Sequence, residues 1–169
     1  MDTGTLQTLI RSNEIFQELT PDELAGLLQT STEVQVRPGD MIFDAGQPGD
    51  AMYVILEGRI RILQIFRDGS REILANLEKG QLLGEMAILD GSPRAARAVA
   101  VTAATLYRID REQFQGLREQ RNPAAFKLIR GIARLLSRRM RETNWRVVSF
   151  FEDPERSLDY LKSRRQLAR

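Results

Sequence analysis

Hydrophobic and polar positions along the chain fall into three regimes. The first is helical. In LTPDELAGLLQT, Thr20 stands as an N-cap, Pro21 takes the first helical position, and Glu23 completes a capping box. Leu24, Leu27 and Leu28 then recur on one face. From Thr32 the period drops to two. Val34 and Val36, Ile60 and Ile62, and Ile73, Ala75 and Leu77 each alternate with polar neighbours. Turn glycines at Gly39, Gly49, Gly58, Gly69, Gly80 and Gly91 punctuate this region every nine to eleven residues. RPGD and QPGD place Pro before Gly as a type II turn requires, and RDGS centres Asp-Gly in a hairpin turn. Short, evenly spaced strands predict a sandwich, barrel or jelly roll. Their sequences do not repeat, which excludes a solenoid.

After Asp110 the helical period returns. REQFQGL predicts a short helix, and Asn122 followed by Pro123 opens a long one that runs to Phe150. Read as heptads from Phe126, the a positions are Phe126, Ala133, Met140 and Val147, and the d positions are Ile129, Leu136, Thr143 and Phe150. Seven of these eight are apolar, which is a coiled-coil seam. Leu128, Ile132 and Leu135 add apolar surface on a second side for the chain's own β-domain, leaving the seam for a second copy. The expected fold class is α+β: an antiparallel, jelly-roll-like β-roll flanked by an N-terminal helix and a long C-terminal helix. The expected boundaries are an N-terminal helical segment at 1–31, the roll at 32–110, C-terminal helices at 111–150 with a dimerisation helix at 122–150, and a basic helical tail at 151–169 that starts at Asp153-Pro154.

Composition narrows the chemistry. Among the 169 residues there is no cysteine and no histidine, which removes disulfides, thiol catalysis, zinc-thiolate sites and Ser-His pairs. Lys79, Lys127 and Lys162 do not follow glycine, so there is no Walker-type loop, and no G-x-G-x-x-G occurs. No basic segment leads into an apolar run at the start, and no stretch has the length of a membrane span. A cytoplasmic protein that is not an enzyme, with no catalytic residue and no metal, is expected. The net charge of +2 conceals an asymmetry: residues 1–110 hold 10 Lys+Arg against 16 Asp+Glu, and residues 111–169 hold 15 against 7. The basic part reads as the solvated faces of a helical arm in preference to a nucleic-acid patch.

One stretch concentrates the remaining chemistry. In LLGEMAILDGSPRAARAVA, Glu85 follows Gly84, and Arg94 is flanked by Pro93, Ala95 and Ala96. Small residues let backbone approach a ligand closely. The acid and the guanidinium look like two hooks for a molecule with a hydroxyl at one end and an anion at the other.

With a β-roll pattern before it and a helical arm after it, this stretch resembles the phosphate-binding cassette of cyclic nucleotide-binding domains. That family includes protein kinase A regulatory subunits, cyclic nucleotide-gated channels and bacterial catabolite-activator-type regulators. Gly84-Glu85-Met86-Ala87 and Pro93-Arg94-Ala95-Ala96 carry the resemblance, in a cassette at 83–97. PGDAMYVILEGRIRI looks like the family's third and fourth strands, and the likeness extends over residues 13–150. It implies that Arg94 grips a cyclic phosphate through two parallel hydrogen bonds and that Glu85 accepts from a ribose 2′-hydroxyl. EMAIL would form a short helix with its first N–H groups towards the phosphate, Ala87 and Ala95 leaving that backbone open and Gly84 admitting the sugar.

Ala95 stands where cGMP-selective members often carry Thr or Ser. The resemblance therefore implies cAMP as ligand, with cGMP as the alternative, and no other cofactor. Thr143-Asn144 falls where the catabolite-activator branch reaches the adenine, so the candidate ligand site is Gly84, Glu85, Met86, Ala87, Arg94, Ala95, Thr143 and Asn144. Arg97 departs from the family's usual Thr, Val or aromatic residue and is a candidate to reshape the base site. Nineteen residues follow Phe150, with no recognition-helix pattern. The expectation is a stand-alone bacterial cyclic-nucleotide sensor, a homodimer through 122–150 that acts on an effector protein, with neither DNA nor membrane as partner. Two other readings stay open: a catabolite-activator-like DNA-binding regulator using its basic arm, and a non-binding scaffold that retains the fold.

Overall fold

The alternating segments become eight strands, and the turn residues decide how they pair. In the computed structural model, which describes Thr8, Asn13, residues 15–29 and residues 31–154, the chain runs α1 (Pro21–Leu28), β1 (Thr32–Val36), β2 (Met41–Phe43), β3 (Ala51–Glu57), β4 (Ile60–Ile65), β5 (Arg71–Leu77), β6 (Leu82–Leu83), α2 (Glu85–Asp90), β7 (Arg97–Ala100), β8 (Ala104–Asp110), α3 (Arg111–Glu119) and α4 (Pro123–Glu152). Residues of the expected tail beyond Pro154, and most of those before Ile15, lie outside the described residues.

Two antiparallel sheets form, one in the order β1-β8-β3-β6 and the other β2-β7-β4-β5. Their shared interior takes Ala51, Tyr53, Ile55, Leu83 and Leu106 from the first sheet and Phe43, Ile60, Leu77, Ala98 and Ala100 from the second. The fold is the expected β-roll. One detail of the alternation differs. Ile73, Ala75 and Leu77 were expected on one face, but the β4–β5 register shifts between Ile62 and Leu63, pairing Ile62 with Ala75 and Leu63 with Ile73. The unpaired extra residue of such a bulge turns the strand. Ala75 and Leu77 therefore stay with the interior, while Ile73 packs with Leu63 in a separate cluster.

A second core forms where the helices meet the roll. The capping box at α1 is complete: the Thr20 hydroxyl accepts from the Glu23 N–H at 3.2 Å, and the Glu23 carboxylate accepts from the Thr20 N–H at 2.8 Å. This aims Leu24, Leu27 and Leu28 inward with Ile15, Phe16 and Leu19. The same core takes Leu128, Ile132 and Leu135 from α4, the side assigned to the chain's own domain. Asn122 caps α4 by accepting from the Ala124 N–H at 2.9 Å. Beyond residue 139 the helix leaves the roll. Met140, Trp145, Val147 and Phe151 are all exposed, Trp145 to 71%.

Much of the charge asymmetry is resolved within the chain. Glu18 receives both Arg130 and Arg134, and Glu23 receives the Lys127 ammonium at 2.7 and 2.8 Å. The acidic N-terminal segment is thus laid along the basic first half of α4. The hydrogen bond from Lys127, helped by the Thr20 N–H, holds the Glu23 carboxyl below the ordinary range. A carboxyl depressed on folding contributes stability above its unfolded value, about 4.3 for Glu, and the contribution is lost as pH falls through the folded value. Glu23→Gln should therefore flatten the loss of stability between about pH 6 and about pH 3. Urea titrations at the two pH values check this, and an unchanged slope would show that the pair contributes nothing.

Candidate functional site

The site is built where β6 turns into α2. Gly84 ends the strand in the left-handed region at φ 77° and leads into the helix without a side-chain cap. A Cβ at Gly84 would lie 2.4 Å from Arg94 Nη1, so the glycine makes room for the guanidinium. Gly49 serves α2 from the other side. QPGD was expected to form a type II turn, but Gly49 is absent from the positive-φ glycines. Its Cβ would lie 2.0 Å from that of Ala87. Close packing against α2 is what requires glycine there.

Arg94 arrives on the segment before β7. Its N–H donates to the Gln47 carbonyl and its carbonyl accepts from the Gly46 N–H, both at 2.8 Å, which ties it to the loop before β3. The side chain is 2% exposed. Nη2 donates to Asp50 at 3.1 Å, Nη1 donates to the Gly84 carbonyl at 3.2 Å, and the guanidinium carbon sits 4.3 Å from the Phe43 ring centroid. Its Nε has no hydrogen-bond partner among the described residues. A buried donor left unpaired costs about 1–3 kcal/mol. The arrangement presents a cation and an unused N–H on an apolar floor, the requirements of an oxyanion site.

Asp50 balances this cation. It accepts from Arg94 and, at 2.9 Å, from Arg108, which in turn is paired with Asp110. Partial burial opposes the charge on Asp50, but the Arg108 hydrogen bond and the charges of Arg108 and Arg94 hold its carboxyl below the ordinary range. Glu85, the first residue of α2, is 3% exposed. Its carboxylate receives Arg139 Nη1 from α4. The two hooks of the sequence are thus both buried, and the one on α2 is held by the long helix.

The structure brings Gly84, Glu85, Ala87 and Arg94 together. Ala95 and Met86 are exposed beside them, and Thr143 and Asn144 are exposed on α4, Thr143 one turn beyond Arg139. Arg97 does not enter the roll. Ala98 and Ala100 on β7 take the interior positions, and Arg97, on the opposite face, makes two bonds to Asp44, at 2.9 and 2.5 Å. That pairing holds the Asp44 carboxyl low. Sequence reasoning missed Asp50, Phe43 and Arg139. Arg139 precedes Thr143 by four residues, so the two share a helix face, and the resemblance that pointed to Thr143 could have drawn attention to Arg139.

A roll with a capped long helix, a buried arginine whose Nε has no partner among the described residues and a buried acid on the adjoining helix fit a ligand-binding module of the cyclic-nucleotide type. The family model for the cyclic nucleotide-binding domain matches residues 33–121, and the chain belongs to that family. It is 30% identical over 130 residues to a CRP-like cAMP-activated global transcriptional regulator of Mycobacterium tuberculosis, an alignment covering 77% of this chain and 56% of the relative. It is similar in structure to the Thermus thermophilus Catabolite Activator Protein, with a TM-score of 0.71 and 31% identity over 82% of this chain and 64% of that one. It also resembles the N-terminal domain of a transcriptional regulator from Streptomyces coelicolor A3(2), with a TM-score of 0.67 and 32% identity over 80% of this chain and 92% of that one. The chain thus spans just over half the length of the mycobacterial relative.

Arg94→Ala should cost about a hundredfold or more in cyclic-nucleotide affinity, from two charge-assisted bonds at roughly 1.5–3 kcal/mol each. Arg94→Lys should recover little, because an ammonium lacks the planar fork. Gly84→Ala should weaken binding in the same direction by displacing the guanidinium while circular dichroism stays unchanged. Calorimetry reads all three, and a near-normal affinity in Arg94→Ala would refute this assignment of the site.

Proposed function

We propose that this chain is a cyclic-nucleotide sensor, with cAMP as its ligand, in which the nucleotide and α4 compete for Glu85. The observation that carries the reading is the pairing of two buried, oppositely charged groups, each holding a surrogate. Arg94 holds Asp50 in place of a phosphate and keeps an unpartnered Nε. Glu85 holds Arg139 in place of a ribose hydroxyl. A cyclic nucleotide offers a replacement for each. Its phosphate oxygens satisfy Arg94, and its 2′-hydroxyl donates to Glu85 and releases Arg139. The absence of a hydroxyl at Ala95 supports cAMP over cGMP.

Release of Arg139 gives the ligand a differential effect on α4, which is what a population shift requires. The output is then the exposed second half of that helix. Phe126, Met140, Val147 and Phe150 leave the seam open to a second copy, and the reading includes a homodimer formed along it. The partner favoured for the signal is a protein. Glu18, Glu23 and Glu85 already take Arg130, Arg134, Lys127 and Arg139, so the basic charge of α4 is in large part spent inside the chain and not offered to a phosphate backbone. The proposal includes no catalytic step.

Calorimetry with cAMP, cGMP and a cyclic dinucleotide tests the ligand. The competition is tested by Arg139→Ala. Removing a charge-assisted bond that exists only in the ligand-free state should tighten cAMP binding by about tenfold. Weaker binding would contradict the competition and make Arg139 a contact of the bound nucleotide. No binding of any cyclic nucleotide would leave the scaffold reading.

A further inference from the structure

One side of α4 belongs neither to the roll-facing surface nor to the seam. Lys127, Arg130, Arg134, Arg141, Trp145 and Val148 recur along it at helical spacing and form a single stripe. Its first half is occupied. Glu23 takes Lys127, Glu18 takes Arg130 and Arg134, and Phe16 and Leu19 of the same N-terminal segment enter the core that α4 shares. Its second half has no such cover among the described residues. Trp145 and Val148 are exposed, the tryptophan to 71%, and Arg141 donates to a neutral partner, the Ser137 hydroxyl, at 2.9 Å. Trp145 and Val148 take heptad positions f and b, outside the a and d seam, so a second copy docked on the seam leaves them exposed. A lone exposed apolar residue is ordinary, but a tryptophan one turn from an arginine has the composition of a protein-binding hot spot.

We infer that the second half of this stripe docks an acidic, apolar segment of a partner protein. The first half already takes a segment of that chemistry from the chain itself, with carboxylates for the cations and apolar side chains for the core beneath. The docking surface is continuous with that internal interface. A carboxylate of the partner meets Arg141 in a charge-assisted hydrogen bond, and an aliphatic or aromatic side chain covers Trp145 and Val148. Two acids interrupt the positive charge of this half: Glu142, 3.9 Å from Arg138, and Glu152 at the end of the helix. A uniformly anionic surface, whether lipid or nucleic acid, meets both of them, whereas a segment with one acid opposite Arg141 avoids both. This partner is the effector of the function proposed above, and its part in signalling rests on that reading.

Trp145 is the only tryptophan in the sequence, so its emission reports on this face alone. In the full chain without nucleotide, acrylamide should quench it freely and its emission should not depend on protein concentration. A shielded or concentration-dependent tryptophan would show that the chain or a second copy already covers the face, and would overturn the inference. A random peptide library, selected on the full chain and depleted on the Trp145→Ala chain, should return sequences with Asp or Glu close to Leu, Ile or Phe. A selected peptide that lacks tryptophan should move the Trp145 emission to the blue. In calorimetry it should bind Trp145→Ala about tenfold or more weaker, and Arg141→Ala several-fold weaker, with circular dichroism unchanged in both. Selected peptides without acids, or binding indifferent to Arg141→Ala, would overturn the acidic partner. Failure to find a peptide that depends on Trp145, or a blue shift given by phosphatidylglycerol vesicles and by no peptide, would overturn the site. Saturating cAMP should change the peptide affinity several-fold. An unchanged affinity with cAMP bound would overturn the role of this face as the sensor's output. A failure of cAMP to bind at all would instead count against the cassette reading, because the peptide titrations do not depend on it.

Discussion

The rest of the site is arranged around one guanidinium kept almost wholly out of water. Burying a charge is expensive unless it is paired and hydrogen-bonded. Arg94 receives a carboxylate from Asp50, a carbonyl from Gly84 and an aromatic face from Phe43. Each partner imposes a further constraint. Gly84 can carry no Cβ, because Nη1 occupies that space. Asp50 must be held from a second direction, which Arg108 does. Phe43 is fixed by stacking on Tyr53, at 6.2 Å between centroids, inside the roll. Nε alone has no acceptor among the described residues, and in the proposed function a nucleotide phosphate provides one.

The second organising force is electrostatic attraction between the acidic N-terminal two thirds and the basic remainder. Glu18 and Glu23 fasten α4 by its first half, over a shared apolar core of Leu24, Leu128 and Ile132. Glu85 takes Arg139, further along the helix. The first anchors sit on surfaces with no role in the cassette. The last one sits on the cassette itself. In the proposed mechanism a ligand at Glu85 therefore acts on the end of the docked segment, where the least packing resists a change, and not on its apolar middle.

Much of this was legible from residue patterns because local rules and tertiary demands agree. Thr20, Glu23, Asn122 and the heptad-spaced apolar residues are read by short-range chemistry that the fold leaves intact. Glu85 and Arg94 stood out because each charge is set among small residues. Where the reading departs from the structure, a long-range contact decides. The bulge between Ile62 and Leu63 moves Ile73 out of the interior, which alternation along one strand cannot reveal. Gly49 is fixed by Ala87 from a helix 36 residues away in sequence, so its Pro-Gly context misleads. Arg97 joins Asp44 across two strands and leaves the roll. Asp50 and Arg139 are ordinary charges in sequence, and only the three-dimensional approach of Arg94 and Glu85 gives them their roles.

The central claim is that the nucleotide and the long helix contend for one carboxylate, and backbone hydrogen exchange along α4 tests it most directly. With saturating cAMP confirmed by calorimetry, amides from Arg139 to Phe150 should change their exchange rates, while those of Ala124 to Ile132, fixed in the apolar core, should not. Tight cAMP binding with every α4 amide unchanged would contradict the account. The ligand would then hold the roll together without informing the helix.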